Sequence, residues 1–171
     1  MMKTFLFLIL LSALRGPLAA QTQEQEANLK AVFIYNFTRY IDWDTSSVEN
    51  EFVIGVIGSS PVTEALAEIA KTKTVKNKRI VIRHFDKPEE ITSCAILFIS
   101  ANSPYPLSSV LSRINKGTLT ISEEAGYGEK GTAFNFVVVN DKLKFEANVK
   151  SINAAGLKAS SQLLKLAIIV N

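Results

Sequence analysis

One short apolar stretch and the turn after it decide the fold: Phe52-Val53-Ile54-Gly55-Val56-Ile57-Gly58-Ser59-Ser60-Pro61. Five of its first six residues are bulky and apolar, which is typical of a strand buried on both faces in a parallel sheet. Gly58 lets the backbone turn, Ser60 can cap a helix, and Pro61 suits a first helical position. The stretch therefore predicts strand, tight turn and helix, the first unit of a doubly wound α/β domain.

The same alternation of strands and helices continues on both sides of this unit. A helix is predicted from Ala27, with one aromatic-rich face made of Leu29, Val32, Phe33, Asn36, Phe37 and Tyr40. Trp43 follows it, and we expect its large apolar ring to cover the core. Further strands are predicted over 80–85, 95–99 and 118–121, and helices over 61–70 and 107–114.

The end of the chain changes character. Residues 133–139 and 143–147 flank Asn140-Asp141-Lys142, which is a hairpin signal. Asn148 can cap a final helix that runs to Val170, with a kink at Gly156. We therefore expect a single three-layer αβα (Rossmann-like) domain, with a mostly parallel sheet, a C-terminal antiparallel hairpin and a final helix.

The first 20 residues have the layout of a secretory signal peptide. Lys3 precedes an apolar run over 5–14, and the small residues Ala19 and Ala20 precede a polar segment. The domains are therefore predicted as a signal peptide over 1–20 and an α/β domain over 21–171, with an uncleaved N-terminal anchor as the alternative. Cleavage would lower the basic count from 19 to 17 against 16 acidic residues, which disfavours nucleic acid as a partner.

Conventional catalytic and metal-binding patterns are missing from the sequence. The chain has one cysteine and one histidine, so neither an intrachain disulfide nor a typical zinc site is expected. Cys94 is interpreted as an inert core thiol, with an intermolecular bridge as the alternative. The sequence has no Gly-x-Ser-x-Gly elbow that could supply a nucleophile for His84. The glycines at 126, 128 and 131 precede a strand, whereas those of a dinucleotide-binding motif precede a helix, so this segment is expected to be a loop. We predict no enzyme, cofactor or metal.

A ligand site can be placed by geometry alone. Open α/β sheets bind ligands beyond the carboxyl ends of their strands, and helix N-termini favour anions. This rule selects the polar residues that follow the predicted strands, which are Ser59, Ser60, Ser100, Asn102 and Ser122.

Three segments in this order, after a predicted signal peptide, resemble the YfiR/HmsC-like family of small exported bacterial proteins. They are KAVFIYNFTRYIDW (30–43), FVIGVIGSSP (52–61), and LKFEAN with AAGLKASSQLLKLA (143–148 and 154–167). The resemblance implies a periplasmic regulator that binds and represses a membrane-bound signalling enzyme, such as a diguanylate cyclase or a hybrid histidine kinase. It also implies that the protein can form a homodimer. Disulfides stabilise some members, and this chain departs from them because Cys94 is alone.

Two other hypotheses stay open at this stage. The first is a periplasmic small-ligand-binding protein without a dedicated protein partner, which would use the polar residues near Ser59 and Asn102. The second is a hydrolase that uses His84 as a base. Under the regulatory hypothesis, the partner is the periplasmic part of a membrane signalling protein, and no span remains once the leader is removed.

Overall fold

The computed structural model describes the backbone of residues 16–43 and 51–171, and side chains from residue 21 onward within those ranges. A 3₁₀ turn lies at Pro88–Glu90. The helices are α1 (Gly16–Phe37), α2 (Val62–Thr72), α3 (Leu107–Leu111), α4 (Val149–Ala154) and α5 (Ser161–Leu164). The strands are β1 (Ile41–Asp42), β2 (Glu51–Ile57), β3 (Thr74–Val75), β4 (Lys78–Phe85), β5 (Ile96–Ile99), β6 (Leu119–Ser122), β7 (Phe134–Val139), β8 (Lys142–Asn148), β9 (Lys158–Ala159) and β10 (Ile168–Val170).

Eight strands form one sheet in the order β10-β8-β7-β6-β5-β2-β4-β3. Strands β4, β2, β5, β6 and β7 are parallel to their neighbours in this run. At the two ends of the run, β8 is antiparallel to β7 and β3 is antiparallel to β4, while β10 lies parallel to β8. The prediction of an α/β fold with a mainly parallel central sheet is confirmed.

The central strand β2 is buried on both faces, as its apolar composition predicts. Ile54 and Val56 belong to a cluster that includes residues of α1 and α2, whereas Val53 and Ile57 belong to a cluster that includes residues of α3. Gly55 lies between them, and a Cβ placed there would come within 2.7 Å of the Phe85 ring. The glycine therefore allows close packing on the crowded second face.

Helix α1 packs with a different face from the one predicted. Its sheet-facing residues are Ala27, Ala31, Ile34 and Phe37, which are all buried. Leu29 and Val32 are nearly half exposed, so this part of the predicted face is wrong. The rotation of the helix follows from the Phe37 ring, whose centroid lies 4.7 Å from that of Phe134 and 4.9 Å from that of Phe145. The two alanines allow the rest of the helix to lie close to the sheet.

The predicted final helix from Asn148 to Val170 is wrong. Helix α4 ends at Ala154 because Gly156 adopts a left-handed conformation (φ +76°), and the N–H of Leu157 donates to the carbonyl of Ile152. The chain then forms β9, which pairs with β1, and the short helix α5, which Ser160 caps. The β-branched end, Ile168–Val170, adds to the sheet beside β8.

Two other sequence predictions concern turns and the core. Strands β7 and β8 are joined by Asn140 and Asp141, both with positive φ, as in the tight turns favoured between antiparallel strands. Trp43 is buried, meets Phe52 edge-on at 5.5 Å between ring centroids, and donates its Nε1–H to the Ala95 carbonyl at 3.2 Å. The prediction that Trp43 covers the core is confirmed.

The predicted signal peptide falls mostly outside the described residues. Helix α1 begins at Gly16, so the proposed cleavage point after Ala20 lies within a helical segment. Within residues 16–43 and 51–171, we find no helix whose length and hydrophobicity would let it cross a bilayer.

Candidate functional site

The strand order places a crevice at one end of the sheet. Strand β2 lies between β4 and β5 in the sheet. The chain leaves β2 towards β4 on one side and leaves β5 towards β6 on the other, so the loops after β2 and β5 diverge. Crevices form at such points in open α/β sheets. Here the crevice has a volume of about 260 Å³, and its lining includes Lys30, Ser60, Ala101, Asn102 and Glu123. We call it the carboxyl-end crevice.

The five residues predicted from the sequence all lie at this end of the sheet, but only Ser60 and Asn102 line the carboxyl-end crevice. Ser100 Oγ donates to the Ser59 carbonyl at 2.7 Å, and the Asn102 amide nitrogen Nδ2 donates to the same carbonyl at 3.3 Å. The backbone N–H of Asn102 donates to Ser100 Oγ at 3.1 Å. These bonds tie together the two loops that frame the crevice.

Ser60 and Ser122 have local structural partners. Ser60 Oγ accepts the backbone N–H of Val62 at 3.2 Å, so it caps the start of α2 as the sequence predicts. Ser122 is fully buried, 2.8 Å from the Thr132 hydroxyl, and donates to Asn135 Oδ1 at 2.7 Å. It therefore links β6 to β7 instead of facing the crevice.

Gly58 explains the close approach of the loops. Its φ is +86°, and a Cβ built there would lie 2.8 Å from the Cα of Ser103. The conformation favours glycine, and the neighbouring backbone leaves no room for a side chain. This turn brings Ser59 beside Ser100 and Asn102.

An ion-pair cluster closes the crevice from the side of α1, and the sequence analysis missed it. Lys30 Nζ lies 2.6 Å from Glu26 Oε1 and 2.8 Å from Glu123 Oε2. The other oxygen of Glu123 accepts the backbone N–H of Ala101 at 3.3 Å. The four-residue spacing of Glu26 and Lys30 is a readable helix signal, but Glu123 is 93 residues from Lys30 in the chain.

The ionisation of Lys30 reflects this setting. Burial lowers the pKa of the Lys30 ammonium, whereas its hydrogen bonds and charge interactions with Glu123 and Glu26 raise it. The net effect places the Lys30 pKa above its ordinary value of 10.5. Lys30 is therefore a cation at physiological pH, and the two carboxylates facing it give the crevice no excess of positive charge for an anion.

The side chains that could carry chemistry do not assemble into a catalytic group in the described part of the chain. His84 is half exposed, with Nε2 3.5 Å from Asp86 Oδ1, and no hydroxyl there is hydrogen bonded to it. Across residues 16–43 and 51–171, no three His, Cys, Asp or Glu residues are grouped as metal ligands. The glycines of 126–131 lie in a loop before β7, so the prediction that they form a loop is confirmed.

Cys94 is buried against Gly55, and burial raises the pKa of its thiol from 9.0 to about 11. The thiol is therefore protonated near neutral pH, whereas the nucleophilic form of a cysteine is the thiolate.

These features define a small α/β domain with a crevice at the carboxyl edge of its sheet. The model of the family described as YfiR/HmsC-like matches residues 27–168. The chain belongs to the YfiR/HmsC-like family, which confirms the resemblance seen in the sequence. The family is regulatory and non-catalytic, and membership suggests a role in cyclic di-GMP signalling.

Proposed function

We propose that this protein is an exported periplasmic regulator that binds and represses a membrane-bound signalling enzyme, such as a diguanylate cyclase or a hybrid histidine kinase. The observation that carries the proposal is the family match, which runs from Ala27 in α1 to Ile168 in β10 and so spans nearly all of the described fold. Export is supported by the signal-peptide layout of residues 1–20 and by the family, whose members are typically exported.

The fold is consistent with a protein that acts by docking. The polar groups that frame the carboxyl-end crevice are largely bonded to one another, and the ammonium of Lys30 is neutralised by two carboxylates. We further propose a three-layer αβα, Rossmann-like architecture. Two separate apolar clusters support it, one joining the sheet to α1 and α2 and the other joining it to α3.

Gene deletion tests this function. Loss of a repressor should raise cellular cyclic di-GMP, and expression of the full chain should restore the original level. A matched chain without residues 2–20 should be made but should not restore it, because it would not reach the periplasm. The proposal is contradicted if the deletion leaves cyclic di-GMP unchanged and no membrane cyclase or kinase co-purifies with the protein.

A second candidate is a periplasmic small-ligand-binding protein without a dedicated partner. The carboxyl-end crevice favours it, because Asn102 and Lys30 line a cavity at the place where ligands of open α/β sheets bind. Thermal melting with amino acids and nucleotides tests it, since a ligand that binds only the folded state raises the midpoint. A shift that Asn102→Ala abolishes would place the ligand in the crevice, and no shift with any compound would count against this candidate.

A further inference from the structure

Another cavity in the described part of the chain lies at the opposite end of the sheet from the carboxyl-end crevice. It is an open groove of about 610 Å³ where the end of α1, the β3–β4 turn and β9 meet. This volume is in the range of about 300–1,000 Å³ that is common for small-molecule sites. We call it the tyrosine groove, after Tyr35 and Tyr40 in its lining.

The walls of the tyrosine groove are held in place by hydrogen bonds between segments that are distant in sequence. The Tyr35 hydroxyl donates to the Thr74 carbonyl at 3.4 Å, which joins α1 to β3. The N–H of Ser160 donates to the Tyr40 carbonyl at 2.8 Å, next to the β1–β9 pairing. Lys76 and its neighbour adopt positive φ in a tight turn between β3 and β4. The groove is therefore preformed, which lowers the entropic cost of binding.

The charge of the tyrosine groove is positive. Its lining includes Arg39, Lys76 and Lys158 against the single carboxylate of Asp42. Within the described residues, none of these three cations forms an ion pair with a carboxylate. The guanidinium of Arg39 lies 5.5 Å from the centroid of the Tyr35 ring, where it packs against an aromatic face.

The backbone carbonyls at the end of α1 do not bind the three cations of the groove. The carbonyls of Tyr35, Asn36 and Phe37 accept the backbone N–H groups of residues 38, 39 and 40, and the Thr38 hydroxyl also donates to the Tyr35 carbonyl at 2.6 Å. The last helical carbonyls thus have partners in the turn that follows. Among the described residues, the side chains of Arg39, Lys76 and Lys158 therefore have no carboxylate partner that a ligand would have to displace.

We propose that the tyrosine groove binds a small organic anion. Arg39, Lys76 and Lys158 hold its carboxylate or phosphate, and its apolar body packs against Tyr35 and Tyr40. Arginine suits such a group because its planar fork can donate two parallel hydrogen bonds to it. The proposal concerns a site distinct from the carboxyl-end crevice and stands whether or not the protein represses a membrane enzyme.

Titration calorimetry on the purified protein tests the proposal with benzoate and phenyl phosphate as anionic probes and benzamide as the neutral match. We expect at least one anion to bind about tenfold more tightly than benzamide, and binding to weaken at high salt. Arg39→Gln and Lys158→Gln should each weaken the binding of that anion about fivefold or more, whereas Asp42→Asn should strengthen its binding. Tighter binding of benzoate would indicate a carboxylate ligand, and tighter binding of phenyl phosphate would indicate a phosphate ligand.

Lys144→Gln is the matched control, because Lys144 is an exposed lysine on β8 and does not line the groove. The control variant should bind the anion as the original protein does, and melting curves should show that all variants are folded. The proposal is overturned if neither anion binds at about 10 mM, if benzamide binds equally well, or if Lys144→Gln weakens binding as much as Arg39→Gln. None of these results depends on the cyclic di-GMP measurement, so the two proposals can fail separately.

Discussion

Lys30 of α1 and Glu123 of the loop after β6 form an ion pair with 2.8 Å between Nζ and Oε2. Their side chains are only 13% and 10% exposed, so the pair is largely removed from water. Because Glu123 also accepts the N–H of Ala101, one carboxylate connects the helix to two loops at the carboxyl ends of the strands. The pair therefore fixes the position of α1 across the crevice.

Replacing Lys30 with methionine should destabilise the protein. The substitution keeps most of the apolar stem but leaves two carboxylates, Glu26 and Glu123, without their cation. We expect a loss of about 1–3 kcal/mol in the free energy of unfolding, measured by urea denaturation. Lys71→Met is the matched control, because its pair with Glu68 is on the surface and should contribute less than about 0.5 kcal/mol. Equal losses in the two variants would show that the Lys30 cluster has no special role.

The same cluster predicts a loss of stability at alkaline pH. The pKa of Lys30 is higher in the folded protein than in the unfolded chain, so its contribution is complete below about pH 10 and is lost as the pH rises through the folded value. Urea denaturation at a series of pH values above about 9 measures this loss. In Lys30→Met the decline should be shallower, and an identical decline would refute the assignment to Lys30.

Cys94 should resist thiol reagents in the folded protein. With a pKa of about 11, its thiolate is far scarcer near pH 8 than that of a free cysteine, and the side chain is buried. We expect modification to be at least about 100-fold slower in the native protein than in urea. Cys94→Ala supplies the background rate. Rapid modification without urea, or a disulfide-linked dimer on a non-reducing gel, would favour the alternative of an intermolecular bridge.

Asn148 should be important for stability because both ends of its side-chain amide are used. Its Oδ1 accepts the N–H of Ser151 at the start of α4, and its Nδ2 donates to the Gly128 carbonyl at 2.9 Å. Asn148→Ala should cost about 1–3 kcal/mol in thermal or urea denaturation.

Asn153→Ala is the matched control, because Asn153 is an exposed residue of the same helix. Asn148→Asp should fall between the original protein and the alanine variant, since it keeps the cap but loses the donor to Gly128. If Asn148→Ala and Asn153→Ala unfold at the same midpoint, the Asn148 amide does not have the structural role assigned to it.

The parts of the fold that were predicted correctly are those with strong local signals. The apolar run of β2, the turn at Gly58 and the cap at Ser60 lie within ten residues, and each element supports the next. Trp43 was also predicted correctly, because a single large aromatic side chain gains most by covering a core.

The failures have physical causes that a single sequence does not display. The face of α1 is set by contacts of Phe37 with Phe134 and Phe145, about a hundred residues away, and these override the regular spacing of Leu29 and Val32. The repeating apolar pattern predicts a final helix, but the helix ends before Gly156, which has a positive φ. Ile168–Val170 instead form a strand that pairs with the edge of β8. Lys30 was missed in the site because its partner Glu123 comes from another part of the sheet.

Trp43 is the sole tryptophan of the chain, and its indole is enclosed between Phe52 and the Ala95 carbonyl. Its fluorescence therefore reports on the junction of β2 and β5 without any added dye or label. Rapid-mixing experiments can follow the emission of this one fluorophore while the centre of the sheet assembles.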